Sequence, residues 1–227
     1  MRSTPSLLHG DTPLDEVAAD LRRRDWTVLA IDPAHPLLLG AAAEARNHLL
    51  AHRLRPASTG RDDGLRLAGL RGDDTLWLDD PACGTAAADL LQAFEQLRRG
   101  LNERLTLGLA HVEAHFAHYP VGTGYARHRD SFQRDDARVL SLVLYLNHGW
   151  PSDGGGALRL HLPTGCRDIA PAQGTLALFL SADVEHEVMP ATQARFSVSA
   201  WFRQRPQPVQ HSPRPARPAA PTAFHPA

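Results

Sequence analysis

The chain has 227 residues, 43% of them hydrophobic, enough to bury one sizeable core with a small helical cover. Its formal net charge of -1 gives no global field that would favour nucleic acid or an anionic membrane, and no apolar run approaches a membrane span. Two cysteines, Cys83 and Cys166, stand far apart and outside any metal-binding spacing, which argues against a disulfide scaffold and for reduced thiols in a cytoplasmic protein.

The first residues, Met1-Arg2-Ser3-Thr4-Pro5, lack the apolar run of a secretory signal, and charge returns by Asp11. Thr12-Pro13-Leu14-Asp15 reads as a helix start, with Thr12 as cap, Pro13 in the first turn and Asp15 closing a capping box. That helix is expected to run to about Arg24. A short strand follows over Trp26–Ile31, stopped by Asp32-Pro33, and a second helix over Pro36–Arg53, ending before Pro56. Residues 56–64 read as a loop, and Arg66–Leu78 as a hairpin turning at Arg71-Gly72-Asp73-Asp74. The clearest helix spans Thr85–Leu105, with Leu90, Phe94, Leu97, Leu101 and Leu105 on one stripe.

From His111 the texture changes. Short apolar runs recur at 111–119, 139–146, 157–162, 175–180 and 195–202, separated by turns rich in Gly, Pro and Asp. No helix-length periodic segment interrupts them, so the spacing predicts a β-sandwich or barrel and not a parallel βαβ sheet. Beyond Arg205, seven prolines in 22 residues leave little to pack, and the tail is expected to be extended or disordered. Every basic residue is arginine, and the abundance of Ala, Leu and Pro resembles the coding bias of a GC-rich bacterial genome. The organisation read from this is one catalytic unit in three parts. Residues 1–108 hold N-terminal helices and a hairpin, 109–205 the β core, and 206–227 the Pro/Arg-rich tail. Nothing in the pattern fixes an oligomeric state.

The chemistry-bearing residues lie in the β region. His128 and Asp130 are two apart, so an extended backbone sends both side chains from one face, with Arg129 pointing away. Alone, the pair is equally a surface His–Asp hydrogen bond, because thirteen histidines make a chance match easy. His186 sits in the alternating segment Val184-Glu185-His186-Glu187-Val188. Together these three offer two imidazoles and one carboxylate, which can occupy one face of an octahedral iron(II) and leave the opposite positions open. Arg195 follows nine residues after His186, with Ser197 and Ser199 on its face of the strand. A guanidinium there can grip the far carboxylate of a dicarboxylic acid; a rim arginine on an edge strand is the plainer alternative. The three tyrosines, Tyr119, Tyr125 and Tyr145, all fall in this region. His111, Glu113 and His115 have the wrong spacing for a helical zinc motif, and Asp153-Gly154-Gly155-Gly156 reads as a turn.

These blocks, taken in order, resemble a known family. Tyr119-Pro120, Gly122 to Asp130, Leu144-Tyr145-Leu146-Asn147, Gly155 to Arg159, and His186 to Ala191 leading to Arg195 and Trp201 are similar to the Fe(II)/2-oxoglutarate dioxygenases, in the prolyl 4-hydroxylase branch that holds the oxygen-sensing enzymes and their bacterial relatives. Arg71-Gly72-Asp73, with Trp77 shortly after, resembles the family's mobile hairpin. The resemblance implies an α+β fold, a double-stranded β-helix (jelly-roll, cupin-like) core with N-terminal packing helices. It implies His128, Asp130 and His186 as iron ligands, and Arg195, Tyr145, Ser199 and Tyr119 around 2-oxoglutarate. Val143, Leu158 and Trp201 would line the pocket, and Arg138, Arg71 and Asp73 would contact substrate. It further implies Fe(II), 2-oxoglutarate and O2, with ascorbate as reductant. The partner would be a protein or peptide with an exposed proline, and the bacterial relatives make translation elongation factor Tu a candidate. Ser131-Phe132-Gln133-Arg134 departs from the animal oxygen sensors. The alternatives are the same chemistry on a free amino acid or small metabolite, and a metal-binding β-barrel that docks partners without turnover.

Overall fold

The structure, a computed structural model, describes residues 6–8, 12–57, 70–131 and 137–205. Among them are three helices, α1 (Thr12–Arg24), α2 (Pro36–Leu50) and α3 (Thr85–Leu105). The strands are β1 (Trp26–Ala30), β2 (Arg55–Pro56), β3 (Asp74–Trp77), β4 (Leu109–Tyr119), β5 (Tyr125–His128), β6 (Arg138–Tyr145), β7 (Leu158–Leu162), β8 (Gly165–Ile169), β9 (Thr175–Leu180), β10 (Glu185–Val188) and β11 (Arg195–Gln204). They form a major sheet ordered β1-β9-β6-β11-β4-β3-β2 and a minor sheet ordered β5-β10-β7-β8, antiparallel throughout. The architecture is the double-stranded β-helix, with the helices laid on the outside of the major sheet.

Alternation along the major strands divides the molecule. Phe116 of β4, Leu140, Leu142 and Leu144 of β6, Leu176 and Leu178 of β9, and Val198, Ala200 and Phe202 of β11 face the helices, meeting Leu38, Leu90, Phe94 and Leu101 in the larger core. The opposite face carries Tyr145, Ala177 and Phe179, which meet Leu158, Leu160 and Ile169 of the minor sheet in a smaller core. The sheets therefore close on each other with room left at one end, where polar residues replace the aliphatic ones. Gly174, just before β9, lets that segment pass close against the backbone that follows β1. Its φ is 85°, and a Cβ there would fall 2.2 Å from the Ile31 carbonyl oxygen.

α3 has the bounds expected from its periodicity, and its Ala, Leu, Gln and Arg content favours a helix through most of its length. Three other expectations need correction. α2 stops at Leu50, because Ala51 caps it and His52 turns left-handed at φ 53°. α1 has the bounds expected of it, Thr12–Arg24, with Asp15 accepting a hydrogen bond from Arg104 of α3, and the capping role expected of the Thr12 side chain lies outside what is described. The hairpin over 66–78 is not local. Asp74–Trp77 pairs with β4 and with Arg55–Pro56, while Arg71 bridges to Tyr125 of β5. Residues 66–69 of that expectation, residues 132–136 and the tail from 206 lie outside the described residues. Finally, β8 was not foreseen, because Gly-Cys-Arg-Asp on an exposed edge carries no apolar alternation.

The start of α3 has a glycine, Gly84, at the cap position and no side-chain cap of its own. Glu44 of α2 supplies it from outside: its carboxylate accepts from the backbone N–H groups of Gly84, Ala86 and Ala87 at 2.6, 3.1 and 3.2 Å. A carboxylate at the positive end of a helix, taking three otherwise unpaired donors, ties α2 to α3. Glu44→Ala is expected to lower the unfolding free energy by about 1–2 kcal/mol, and Glu44→Gln by less; urea denaturation followed by circular dichroism measures both. An unchanged midpoint in Glu44→Ala would show that water replaces the carboxylate at no cost.

Candidate active site

His128 and His186 are Cα partners across the β5–β10 ladder, so strand pairing sets their rings side by side, with centroids 4.3 Å apart. Asp130 lies just past the end of β5. Its Oδ1 is 3.5 Å from His128 Nε2 and its Oδ2 is 3.7 Å from His186 Nε2. One ligand atom from each of the three falls within 4.8 Å of the others. His128 Nδ1 lies 2.7 Å from the Ala126 carbonyl oxygen, and His186 Nδ1 3.2 Å from that of Val184. A carbonyl only accepts, so each Nδ1 carries the proton and each Nε2 turns its lone pair inward. Burial drives the His186 pKa below its ordinary value, with His128 adding to the shift and Asp130 opposing it. For Asp130, burial acts to raise the pKa. The neighbouring His186, hydrogen bonding with His128 and the Ser141 hydroxyl outweigh it and hold the carboxyl well below its usual range. Two nitrogen donors and one ionised carboxylate suit a divalent transition metal with open positions.

Arg195 begins β11 opposite Tyr119 and is 1% exposed. Its Nε and Nη2, and the hydroxyl of Tyr145 beside it, have no hydrogen-bond partner among the described residues. A buried guanidinium with free N–H groups is costly unless an anion completes it. The Tyr119 ring stacks against it, 4.2 Å from the guanidinium carbon. Gly156, at φ 71°, presses on the Arg195 side chain; a Cβ there would come within 3.1 Å of Cδ. Burial pushes the Tyr145 phenol up against the opposing pull of Arg195, so it remains a donor. The orphaned donors match the carboxylate of a dicarboxylic acid.

Both groups open into one cleft of about 490 Å³, partly open to solvent. His128, Asp130, His186, Arg195, Tyr145, Ser199, Tyr119, Val143, Leu158, Trp201 and Arg71 all line it. Two expected residues do not. Asp73 is buried behind Arg71, its two oxygens taken by Arg71 Nε and Nη2 at 2.6 and 2.9 Å. Arg138 lies over the Trp201 ring, 3.9 Å from its centroid, and is paired with Glu113. Neither contacts the cleft directly, because each is committed to holding a neighbour that does.

Reading the sequence noted Tyr125, Ser197 and His115 without giving them a place in the site, and gave none to Val188, Ser141 or Ser181. Tyr125 stacks on the His128 ring at 3.7 Å and 19°, with Arg71 on its own ring at 5.0 Å. Ser197 lies between Arg195 and Ser199 in the same alternation, which was a usable signal. Ser141 shares that kind of signal, being a lone hydroxyl two and four residues before Val143 and Tyr145 on one face of β6. Ser181 falls beyond the end of β9, where no pattern marks it. His115 was set aside as a metal ligand and is instead a buried support. Its Nδ1 donates to the Phe116 carbonyl at 3.0 Å, and its Nε2 is 3.5 Å from Arg71 Nη2.

Comparisons with known proteins agree with this geometry. Residues 114–203 match the model of the 2OG-Fe(II) oxygenase superfamily. The chain is 40% identical to a Pseudomonas putida prolyl-4-hydroxylase of known crystal structure, covering 85% of this chain and 99% of that one, with a TM-score of 0.75. A Trichoplax adhaerens prolyl hydroxylase, solved with a peptide fragment of the hypoxia inducible factor oxygen degradation domain, is 25% identical, with a TM-score of 0.77 over 86% of this chain and 90% of that one. Hypoxia-inducible factor prolyl hydroxylase of Caenorhabditis elegans is 29% identical over 153 residues, 63% of this chain; that match spans only 21% of the relative's length.

Burial, reinforced by the nearby Arg71, pushes the His115 imidazole down to about 4. A folded-state pKa below the unfolded value means that only the unfolded chain gains this proton between roughly pH 6.5 and 4. Stability from this group is complete above pH 6.5 and is lost as pH falls toward 4. Between pH 7 and pH 5 the loss is expected to be about 2 kcal/mol. Denaturation midpoints of wild type and His115→Gln at the two pH values test it. The variant should lose less stability than wild type on acidification, and equal losses would contradict the assignment.

Proposed function

The chain belongs to the 2OG-Fe(II) oxygenase superfamily, and from that premise we propose that it hydroxylates a proline in a protein or peptide. The buried, unpaired donors of Arg195 beside Tyr145, facing the same cleft as the triad, carry the reading. A metal-binding barrel without turnover gains nothing from a desolvated guanidinium aimed at a dicarboxylate. The 40% identical Pseudomonas putida enzyme supports proline as the target, and the peptide complex of the Trichoplax relative supports a polypeptide. Among proteins with an exposed proline, translation elongation factor Tu is the candidate to test first.

Iron(II) with 2-oxoglutarate and O2 supplies the oxidation, in which 2-oxoglutarate becomes succinate and carbon dioxide and one oxygen atom enters the substrate C–H bond. The rest is positioning by this chain. His128, Asp130 and His186 would hold the metal from one side, with both imidazole protons fixed on Nδ1. Arg195 and the Tyr145 hydroxyl would bind the distal carboxylate of 2-oxoglutarate, with Ser199 and Tyr119 closing around it. Val143, Leu158 and Trp201 keep water from the space between these two anchors. At the mouth, Arg71 presents a guanidinium already clamped by Asp73 and braced by His115, so little side-chain entropy is lost when a substrate carbonyl meets it. Arg138 acts one step back by holding the Trp201 ring. Ascorbate would serve as reductant between turnovers, and a cytoplasmic setting suits the two free thiols, Cys83 and Cys166.

Purified protein with Fe(II), ascorbate and 2-oxoglutarate is expected to form succinate, more strongly with a proline peptide. Arg195→Ala should raise the KM for 2-oxoglutarate by about thirtyfold or more, because it removes the charged partner of a buried carboxylate. An unchanged KM would remove Arg195 from the role. For the substrate, mass spectrometry of proteins from cells with and without the gene is expected to show one added oxygen on a proline. A shift seen only on free amino acids or metabolites would overturn the polypeptide assignment.

A further inference from the structure

The three metal-facing side chains are not held alike. His128 and His186 sit on strands paired with each other, and β10 is paired again with β7 on its far side. Among the described residues Asp130 has no such support. The β5 ladder ends at His128, and among the described residues no backbone hydrogen bond is made by Asp130 itself. Beyond the two imidazoles, what reaches it among the described residues comes from the other sheet. The Ser141 hydroxyl lies 2.6 Å from Asp130 Oδ2, and the Ser181 hydroxyl 2.9 Å from that of Ser141. Both serines are buried, at 1% and 0% exposure.

The proton order in this chain follows from chemistry. An ionised carboxylate only accepts, so the single Ser141 proton points to Asp130. Ser141 must then accept from Ser181, which gives a one-way relay, Ser181 to Ser141 to Asp130, each bond polarising the next. The relay also has a firm base. Ser141 lies in the middle of β6, paired with Phe179 of β9 and with Trp201 of β11, and the Ser181 N–H donates to the Val139 carbonyl at 3.0 Å. We propose that Ser141, backed by Ser181, is the positioning residue that fixes the rotation of the Asp130 carboxylate for metal binding, tying the free end of β5 to the rigid major sheet. This rests on the metal-binding reading of the triad and extends it to two residues outside it.

The test is direct metal affinity, measured without substrate or turnover. Metal-free protein is titrated with Mn(II), and free Mn(II) is read by electron paramagnetic resonance; melting temperatures in EDTA report folding. Wild type should bind one Mn(II). Ser141→Ala should bind at least tenfold more weakly, in the range seen when a ligand loses its hydrogen-bonded support, with its metal-free melting temperature within a few degrees of wild type. Ser141→Thr keeps the hydroxyl and should stay within about threefold of wild type, and Ser181→Ala should fall between. If Ser141→Ala fails to fold, Ser181→Ala decides: weaker Mn(II) binding at unchanged melting temperature supports the relay, and wild-type affinity overturns it. Wild-type affinity in Ser141→Ala, or equal weakening in Ser141→Ala and Ser141→Thr, also overturns it. Failure of the wild type to bind would count against the triad instead, so the two failures are distinct.

Discussion

Antiparallel pairing of β5 with β10 is the constraint on which the site depends. It makes His128 and His186 register partners, and so converts two residues 58 positions apart into neighbouring imidazoles. Local backbone then orients both rings, because each Nδ1 finds the carbonyl two residues earlier, Ala126 within β5 and Val184 just before β10. A slip of one residue would send one imidazole to the solvent face of the minor sheet. The proposed metal site is thus a consequence of sheet register.

The major sheet does two jobs with its two faces. The outward face is an aliphatic surface for α2 and α3, supplying most of the hydrophobic burial. The inward face mixes Phe179 and Ala177 with Ser141, Tyr145, Arg195, Ser197 and Ser199. Polar groups can be kept inside only because they pair with one another or await a ligand. Ser141 is satisfied by Asp130 and Ser181, whereas Arg195 and Tyr145 keep donors open. Burial against the helices offsets the cost of holding those open donors away from water.

A second layer of residues sets how the cleft groups stand. Asp73 and His115 hold Arg71, Arg138 lies across Trp201, and Gly156 leaves room for the Arg195 side chain. Each acts on a residue that faces the cleft while staying out of it. Three of the four are polar groups, with local sequence signals no different from those of ordinary ion pairs. Of the three residues expected to contact substrate, Arg71 lines the cleft, while Asp73 and Arg138 stand behind residues that do.

The sequence by itself determined the elements whose signals are local. The α3 stripe, the apolar runs of β4, β6, β7, β9 and β11, the His-x-Asp spacing and the Arg195–Ser197–Ser199 alternation all lie within a few residues along the chain, where periodicity can express them. Ordered blocks resembling one family added the link between His128, Asp130 and His186. Tertiary structure alone decided what depends on distant partners. Arg71 bridges to Tyr125 instead of turning a local hairpin, Glu44 caps a helix 40 residues away, and the Ser181–Ser141 pair reaches Asp130 across the two sheets. The reason is that such contacts are set by sheet order and register, which bring together residues that carry no mark of each other in their own neighbourhoods.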